Sequence, residues 1–536
     1  MMKIKEKEES QAADKTENKK IVSTGVAIIG GGLAGLACSI RLARKGIKVI
    51  LIEKNTYPFH RVCGEYISNE ALDYVKSLGV NPFDFGAVSL DKFWLSSPSG
   101  NKLELDLPLG GFGISRYTLD YELSKIAKKE GVQIWEGIFV KDVNKGREKR
   151  DERSENDGSE NEGREKRDEG SENDGSENEG REKRDEGSEN DGSENEGREK
   201  RDERSENDGS ENEEREKRDE RSENDGSENE EREKRDEGSE NDGSENEGRE
   251  KRDEGSENDG SENEGREKRD EGSENEGNEN EGIGNENDRN ENKFLIETSN
   301  GAIESQIVIG SYGKRSNLDT KLQRDFASKN FPYIGVKYHL KTDLMPDNVI
   351  ALHNFWRGYC GISKIEDDKF CFCYLSHKDN ITDFKKVENI EKQLFTENPF
   401  LSKILKEAEF LYEKPEIINQ VSFSPKKLIE DDVLMCGDSA GMITPLCGNG
   451  MAMALHSSKI LSDLLISYFD NQMGFDALKT EYQKRWNSQF QLRLKAGRTV
   501  QRFFGGRKSS ELLINTFKYI PSIARKVVSL THGKPF

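Results

Sequence analysis

The sequence predicts an α/β fold: a parallel sheet with crossover helices, a second, mainly antiparallel β domain, C-terminal helices and a long disordered insert. Three observations carry this reading. A β-branched run, Val26 to Ile29, meets Gly30-x-Gly32-x-x-Gly35, then a helix-period stretch ending near Gly46 and a second apolar strand, Lys48 to Ile52, the order of a βαβ unit. Runs such as "YIGVKYHLKT", "NVIALHNF" and "KFCFCYLS", between Phe331 and Ser424, alternate with period two and are rich in aromatics, as in a half-buried antiparallel sheet. Finally, "GREKRDEGSENDGSENE" begins at Gly163 and returns at Gly180, with near copies in steps of seventeen from Gly146 until the pattern trails off by Asn292.

A fixed period suggests a solenoid, but the repeat unit contains no Leu, Ile, Val, Phe, Tyr or Trp and so has no face to bury against a neighbour. Such a segment cannot offset its ordering entropy and is expected to be disordered. Between Gly146 and Asn292 there are 28 Lys and Arg against 61 Asp and Glu, a net -33, whereas the whole chain of 536 residues carries -23. The remainder is therefore basic by about ten charges, and the acidic balance describes the insert alone. About 390 residues lie outside it, enough for one large or two ordinary domains. Just before it stands "VQIWEGIFVKDVNK" and just after it "KFLIETSNGAIESQIVIG". Joined, they give a hairpin, Ile138 to Val143 with Phe294 to Thr298, followed by a strand from Ile303 to Gly310. The insert then occupies a loop of a complete fold, as a solvated tether or as an interaction arm.

The glycine motif reads as a dinucleotide site in a Rossmann-like unit. Gly30 makes the tight turn, Gly32 lets backbone approach a pyrophosphate, and Gly35 lets helix and strand pack closely, with Gly31 inside the same turn. The helix N-terminus then offers free N–H groups to phosphate. Glu53, at the end of the second strand and next to Lys54, is placed to accept hydrogen bonds from an adenosine ribose. Far downstream, an apolar strand from Val433 to Cys436 runs into Gly437-Asp438, and a loop with Pro445 and Gly448-Asn449-Gly450 opens a long helix. A second strand-to-acid turn suits a long, extended dinucleotide.

With these residues the chain resembles the flavoprotein superfamily of p-hydroxybenzoate-type monooxygenases, geranylgeranyl reductases and electron-transfer-flavoprotein-type dehydrogenases. The resemblance implies a FAD-binding domain of the glutathione reductase/p-hydroxybenzoate hydroxylase type. The resemblance implies FAD as cofactor, with Asp438 at its ribityl region and the Gly448 to Gly450 turn aiming a helix N-terminus at the flavin N1–C2 edge. Arg116, Asp120 and Leu123 resemble the family's Arg-x-x-x-Asp-x-x-Leu helix start, where the Arg lies near the cofactor. Arg61, Cys63, Gly64 and Glu65 resemble the basic-x-Cys-Gly-Glu segment that the reductase branch places by the isoalloxazine. Cys63 reads either as a redox-active thiol or as a small buried one.

The same template divides the chain into FAD-binding parts at 21–88, 110–145, 293–318 and 430–474, around substrate-domain segments 89–109 and 319–429. Disordered residues 1–20 precede them, the insert spans 146–292, and a helical region covers 475–536. The segment "DKFWLSSPSGNKLELDL" adds a hairpin to the substrate sheet. Cys371 and Cys373 face one side of that sheet as core residues, and the wall shows no evident charged or metal-binding cluster, which suits an apolar substrate.

Many hydroxylases of the superfamily carry Asp-Gly after the strand that here ends in Ser311-Tyr312-Gly313, and halogenases carry Trp-x-Trp-x-Ile-Pro where this chain reads "NFWRGYCGISKI". The expected activity is therefore that of a geranylgeranyl reductase-like oxidoreductase or flavin dehydrogenase. Hydride would pass to or from a C=C bond of an apolar, isoprenoid or lipid-like substrate, with electrons from a separate donor or transient NAD(P)H. Tyr66, Tyr359 and Cys63 are catalytic candidates by segment alone. The alternatives are a FAD-dependent monooxygenase of an aromatic or polyketide substrate, and a scaffold with a vestigial flavin site. No metal and no nucleic acid is expected. Seven cysteines without regular spacing, a charged N-terminus and no long apolar run predict a reducing, cytoplasmic setting. The tail from Arg493 mixes Arg and Lys with "LLINTFKYIPSIARKVVSL", which reads either as helices packed on the body or as a peripheral membrane contact.

Overall fold

Strand β1 (Ile21–Ile29) leads into helix α1 (Leu33–Ala43) and strand β2 (Val49–Glu53), as the β-branched run and the glycine turn require. The structure is a computed structural model and describes residues 21–146, 293–329 and 331–536; the disorder expected of residues 1–20 and of the repeat falls outside them. The remaining strands are β3 (Tyr66–Ser68), β4 (Val88–Ser96), β5 (Lys102–Gly113), β6 (Gln133–Glu136), β7 (Val140–Lys145), β8 (Phe294–Thr298), β9 (Gly301–Gly310), β10 (Tyr333–Lys341), β11 (Val349–Phe355), β12 (Gly358–Lys364), β13 (Phe370–His377), β14 (Glu409–Phe410), β15 (Glu416–Val421), β16 (Ile429–Glu430) and β17 (Val433–Met435). The principal helices after α1 are α2 (Arg116–Lys129), α3 (Gly450–Phe469), α4 (Phe475–Gln501), α5 (Arg507–Tyr519) and α6 (Pro521–Thr531).

The first sheet runs β16-β17-β9-β1-β2-β6, and from β17 to β6 neighbouring strands are parallel. Residues Val26 to Ile29 are buried in the core, and α1 packs on both α3 and α2. The registers Ile29↔Ile52, Ile29↔Gly310 and Met435↔Gly310 bring the carboxyl ends of β1, β2, β9 and β17 to one edge. Two turns some four hundred residues apart in sequence meet there, at the crevice where open α/β sheets bind ligands. On the same sheet β7 pairs antiparallel with β8, and β8 with β9. The hairpin on either side of the insert is thus intact, with β7 starting at Val140 rather than Ile138.

The second sheet has the order β14-β10-β13-β12-β11-β4-β5-β3, with β15 also on β10. It is antiparallel except where β4 lies parallel to β11. One face buries Val336, Tyr338, Phe370, Phe372 and Tyr374 against the short helices between Lys378 and Glu407. Burying a side chain of that size stabilises the fold by roughly 2 kcal/mol. The other face carries Leu352, Tyr359 and Leu375 and packs on Ile514 and Phe517 of α5 and Ala524 of α6.

Candidate functional site

At the end of β1 the backbone of Gly30 has φ +106°, and a Cβ there would lie 2.6 Å from the Ser311 carbonyl oxygen, so only glycine fits. A Cβ on Gly35 would strike the Gly30 carbonyl oxygen, the close helix–strand approach expected of the third glycine. Helix α1 starts after Gly32 with no side-chain cap, leaving its first-turn N–H groups directed out of the helix. A Cβ on Gly32 would meet only the Arg116 guanidinium, at 3.5 Å. Glu53 Oε2 accepts from Gly31 N at 2.8 Å and from Arg61 at 3.0 Å, while Oε1 accepts from the Asn55 backbone and side chain. Arg61 Nε also donates to Asp120 Oδ2 at 3.0 Å, and Arg116 forks onto Asp120 at 2.8 and 2.7 Å. The glycine turn, Glu53 and both predicted arginines therefore form one network around buried Asp120.

Asp438 sits in the turn after β17, at the same crevice. Burial pushes its carboxyl up, against the pull of Lys426, Arg116 and Lys314. Lys426 donates to the Lys314 and Asp438 carbonyl oxygens at 2.7 Å each. Burial pushes both lysines down to about 8, helped at Lys314 by the neighbouring Arg315. After Pro445 the chain turns at Gly448 with φ +63°, where an added Cβ would come within 3.0 Å of the Tyr66 ring, and α3 starts at Gly450. Asn449 places no side-chain cap on α3; its Nδ2 donates to the Thr531 carbonyl at 2.7 Å instead.

Where the wall was expected to lack a charged cluster, the structure shows one. Glu65, which follows the exposed Gly64, is fully buried and has φ +54°. Its Oε1 accepts from Lys337 Nζ at 2.5 Å and from the Arg116 backbone at 2.9 Å, and its Oε2 lies 2.6 Å from His339 Nε2. Burial pushes the carboxyl up, but Lys337 and then His339 outweigh it and hold it at about 2. His339 Nδ1 lies 2.9 Å from Tyr412 Oη, which lies 3.2 Å from His60 Nδ1. Sequence reasoning missed Lys337, His339, Tyr412 and His60. The signal was two polar residues spaced by two in the apolar run "YIGVKYHLK", hence on one face of a buried strand. Glu65, His339 and Cys371 place ligand atoms within 4.8 Å of one another. Lys337 already neutralises the carboxylate and the Cys371 thiol donates to the Cys63 carbonyl at 3.2 Å, so these donors are engaged by the chain.

Each of the three catalytic candidates packs on the segment between Leu446 and Met451. Tyr359 is buried on β12 and its oxygen accepts from Leu446 N at 3.0 Å; burial pushes its hydroxyl well up. Tyr66 lies beneath Gly448, with its hydroxyl 3.4 Å from the Gly110 carbonyl. The Cys63 thiol lies 3.5 Å from Met451 Sδ, and burial pushes it up more than Arg116 pulls it down, which disfavours a reactive thiolate. Lys54 points to solvent. All seven cysteines are free.

This arrangement fits FAD: an uncapped helix N-terminus behind a glycine turn, open space at Gly32 and Gly64, and a second turn presenting Asp438 among cations. Residues 23–82 match the FAD binding domain family, and FAD is the cofactor. Residues 398–520 match the squalene epoxidase family. A 1H-pyrrole-2-carbonyl-[peptidyl-carrier protein] brominase of Pseudoalteromonas luteoviolacea is 33% identical over 125 residues, covering 23% of this chain and 30% of its own. Conditioned medium factor receptor 1 of Dictyostelium discoideum is 30% identical over 138 residues, covering 25% and 26%. The chain thus spans less than a third of the length of these curated relatives. Among solved structures, a flavin-dependent brominase superposes with a TM-score of 0.56 at 14% identity, covering 95% of this chain and 93% of that one. A geranylgeranyl bacteriochlorophyll reductase-like protein of Thermoplasma acidophilum gives 0.56 at 12%, covering 95% and 100%. The fold is shared across oxygenating, halogenating and reducing flavoproteins, so the reductase branch is one neighbour among several, and halogenases, set apart above by a missing motif, are relatives in fold.

Proposed function

We propose that the protein is a FAD-dependent monooxygenase acting on an apolar aromatic or polyketide-type substrate. The observation that carries this reading is the match of residues 398–520 to the squalene epoxidase family in a chain whose residues 23–82 match the FAD binding domain family. Leu352, Tyr359 and Leu375 form a cluster with Met442 and Leu446, and the Tyr359 hydroxyl holds the Leu446 backbone in place. The matches to squalene epoxidase over 398–520 and to a brominase support an oxygen-using enzyme over the reductase expected from sequence. FAD, when bound, supplies the redox chemistry. The first turn of α1 would hold its phosphates, and the N-terminus of α3 would stabilise negative charge that develops on it. A reductase acting on a C=C bond is the second reading, favoured by the absence of Asp at Ser311-Tyr312-Gly313. There Ser311 Oγ donates to the Gly30 carbonyl at 2.7 Å and Tyr312 Oη to Asp319 at 2.9 Å. Exposed Leu512, Tyr519 and Ile523 among the basic residues of α5 and α6 suit contact with a membrane holding such a substrate. Among the described residues no helix is long and apolar enough to cross one.

The test is anaerobic reduction by NADPH followed by oxygen admission with ¹⁸O₂ and a panel of alkyl-aromatic substrates. Incorporated label supports the monooxygenase. Reduced flavin that saturates a C=C bond without oxygen uptake supports the second reading, and protein that takes up no flavin sinks both.

A further inference from the structure

We propose that Asn449 is a positioning residue for the cofactor: the Thr531 carbonyl holds its side chain off the N-terminus of α3, and residues 531–536 are the strap that keeps this carbonyl in place. That the open N-terminus of α3 faces the flavin ring rests on the flavoenzyme reading above; that Asn449 is withheld from it rests on the hydrogen-bond geometry.

Asn is among the strongest helix N-caps, because its side-chain oxygen accepts from an N–H of the first turn. Asn449 stands at that position before α3 and makes no such bond. Its backbone carbonyl accepts from Met453 N at 3.0 Å, which starts the helical ladder, while its Nδ2 donates to the Thr531 carbonyl at 2.7 Å. A carbonyl only accepts, so the amide must turn its NH2 group toward Thr531. Thr531 ends α6, and its carbonyl is one of the last four that a helix leaves without an internal partner. Asn449 thus closes the end of α6 instead of the start of α3. The side chain is fully buried, and its Oδ1 has no partner among the described residues. A buried amide oxygen without a donor, beside a helix start without a cap, gains by bonding there once the opposing tie is released.

The strap has one path. An added Cβ on Gly533 would lie 2.0 Å from Arg493 Nη2 and 2.2 Å from Glu70 Oε2, so only glycine fits where the segment crosses this buried pair. Phe536 N donates to the Glu70 carbonyl at 3.3 Å, and the Phe536 ring stacks on His456 of α3 at 4.0 Å and 10°. Burial pushes the Glu70 carboxyl up, while Arg493, the Asn449 amide and the Gly533 backbone pull it down, so turn and strap meet on one buried acid. A tie serving stability alone needs only some donor to the Thr531 carbonyl. Here it takes the residue that would otherwise close α3 and leaves the oxygen of that residue unpaired. With Asn449 held back, the first-turn N–H groups of α3 stay open to the negative charge that develops on the flavin on reduction.

The experiment compares Gly533→Val, Phe536→Ala and the double variant Gly533→Val/Asn449→Ala in the full chain. It reads the FAD dissociation constant by flavin fluorescence, the flavin midpoint potential, and the Ala452 amide by NMR of apoprotein labelled with ¹⁵N-alanine. Displacing the strap in either single variant frees Asn449 to cap α3. The Ala452 amide then shifts downfield, the dissociation constant rises about fivefold, the size of an N-cap contribution, and the potential becomes more negative. Adding Asn449→Ala to Gly533→Val moves all three back toward wild type, whereas a purely structural tie predicts a double variant as weak as the single one or weaker. Such a double variant, or an Ala452 amide that moves in neither single variant, overturns the proposal. Phe536→Ala removes only a ring, so it reports even where the bulkier variant fails to fold. The Ala452 readout needs no cofactor: wild-type protein that binds no FAD counts against the flavoenzyme reading, while the Ala452 shift still decides whether the strap withholds Asn449.

Discussion

Lys145 and Phe294 are directly opposed partners in the β7–β8 hairpin, although the whole repeat insert separates them in sequence. Gly146 N donates to the Lys293 carbonyl at 2.6 Å, so the pairing closes at the point where the insert leaves. Replacing residues 146–292 by a short Gly-Ser turn should leave flavin stoichiometry and thermal midpoint unchanged, because closure entropy depends only logarithmically on loop length. Loss of FAD from the shortened protein would show that the insert takes part in the fold.

Gly35 tests the first turn. Its missing Cβ is what lets α1 rest on the Gly30 carbonyl, and Gly35→Val forces those elements apart. FAD content, read as flavin absorbance per polypeptide, should fall at least about tenfold, the equivalent of about 1.4 kcal/mol in binding. Lys54→Ala, on an exposed side chain, should change nothing in the same assay.

Asp120 holds two arginines while only 2% exposed. Asp120→Ala leaves both guanidiniums without that partner and should lower stability by about 3 kcal/mol, as when one member of a buried pair is removed. The denaturation midpoint measures this, and a change below about 1 kcal/mol, ordinary for an exposed pair, would reject the network as a structural element.

Glu65 sets an acid-side limit on stability. Its carboxyl is at about 2 in the folded chain against an ordinary value of 4.5, so its contribution is complete above about pH 4.5 and is lost as pH falls toward 2. His60, at about 4 instead of 6.5, acts in the same direction through its neutral form, between pH 6.5 and 4. Glu65→Gln should flatten the thermal midpoint between pH 4.5 and 2 relative to wild type, and an unchanged slope would contradict the assignment.

How much of this was legible in sequence depended on range. The geometry of the glycine turn, of Glu53 and of the Asp438 turn could be read because each lies within one local strand–turn–helix segment. The hairpin across the insert could be read because both halves keep strand periodicity. The parallel β4–β11 pairing and the Glu65–Lys337–His339 cluster were invisible, since each joins segments more than 250 residues apart and nothing local marks the partner. The expectation of an uncharged wall failed for that reason: Lys337 reads as one cation in an apolar strand until Glu65 is set beside it. Tyr359 was singled out by segment, and the structure adds that its oxygen accepts from the Leu446 backbone.

Cys63 decides whether the segment beside Gly64 works by thiol chemistry. Its sulfur is half-buried against Met451, and burial pushes the thiol up, so little thiolate exists near neutral pH. Alkylation of the native protein at pH 7.5 should leave Cys63 unmodified by mass spectrometry over the time in which a free exposed thiol reacts fully. Cys63→Ala should keep FAD content and the rate of anaerobic flavin reduction within about twofold, since a small buried side chain contributes packing more than chemistry. A loss of flavin reduction of the size that removing an essential nucleophile causes, about a thousandfold or more, would restore Cys63 as a redox partner of the cofactor. The same substitution leaves Glu65, Lys337 and His339 in place, so it separates the thiol from the buried Glu65–Lys337 ion pair.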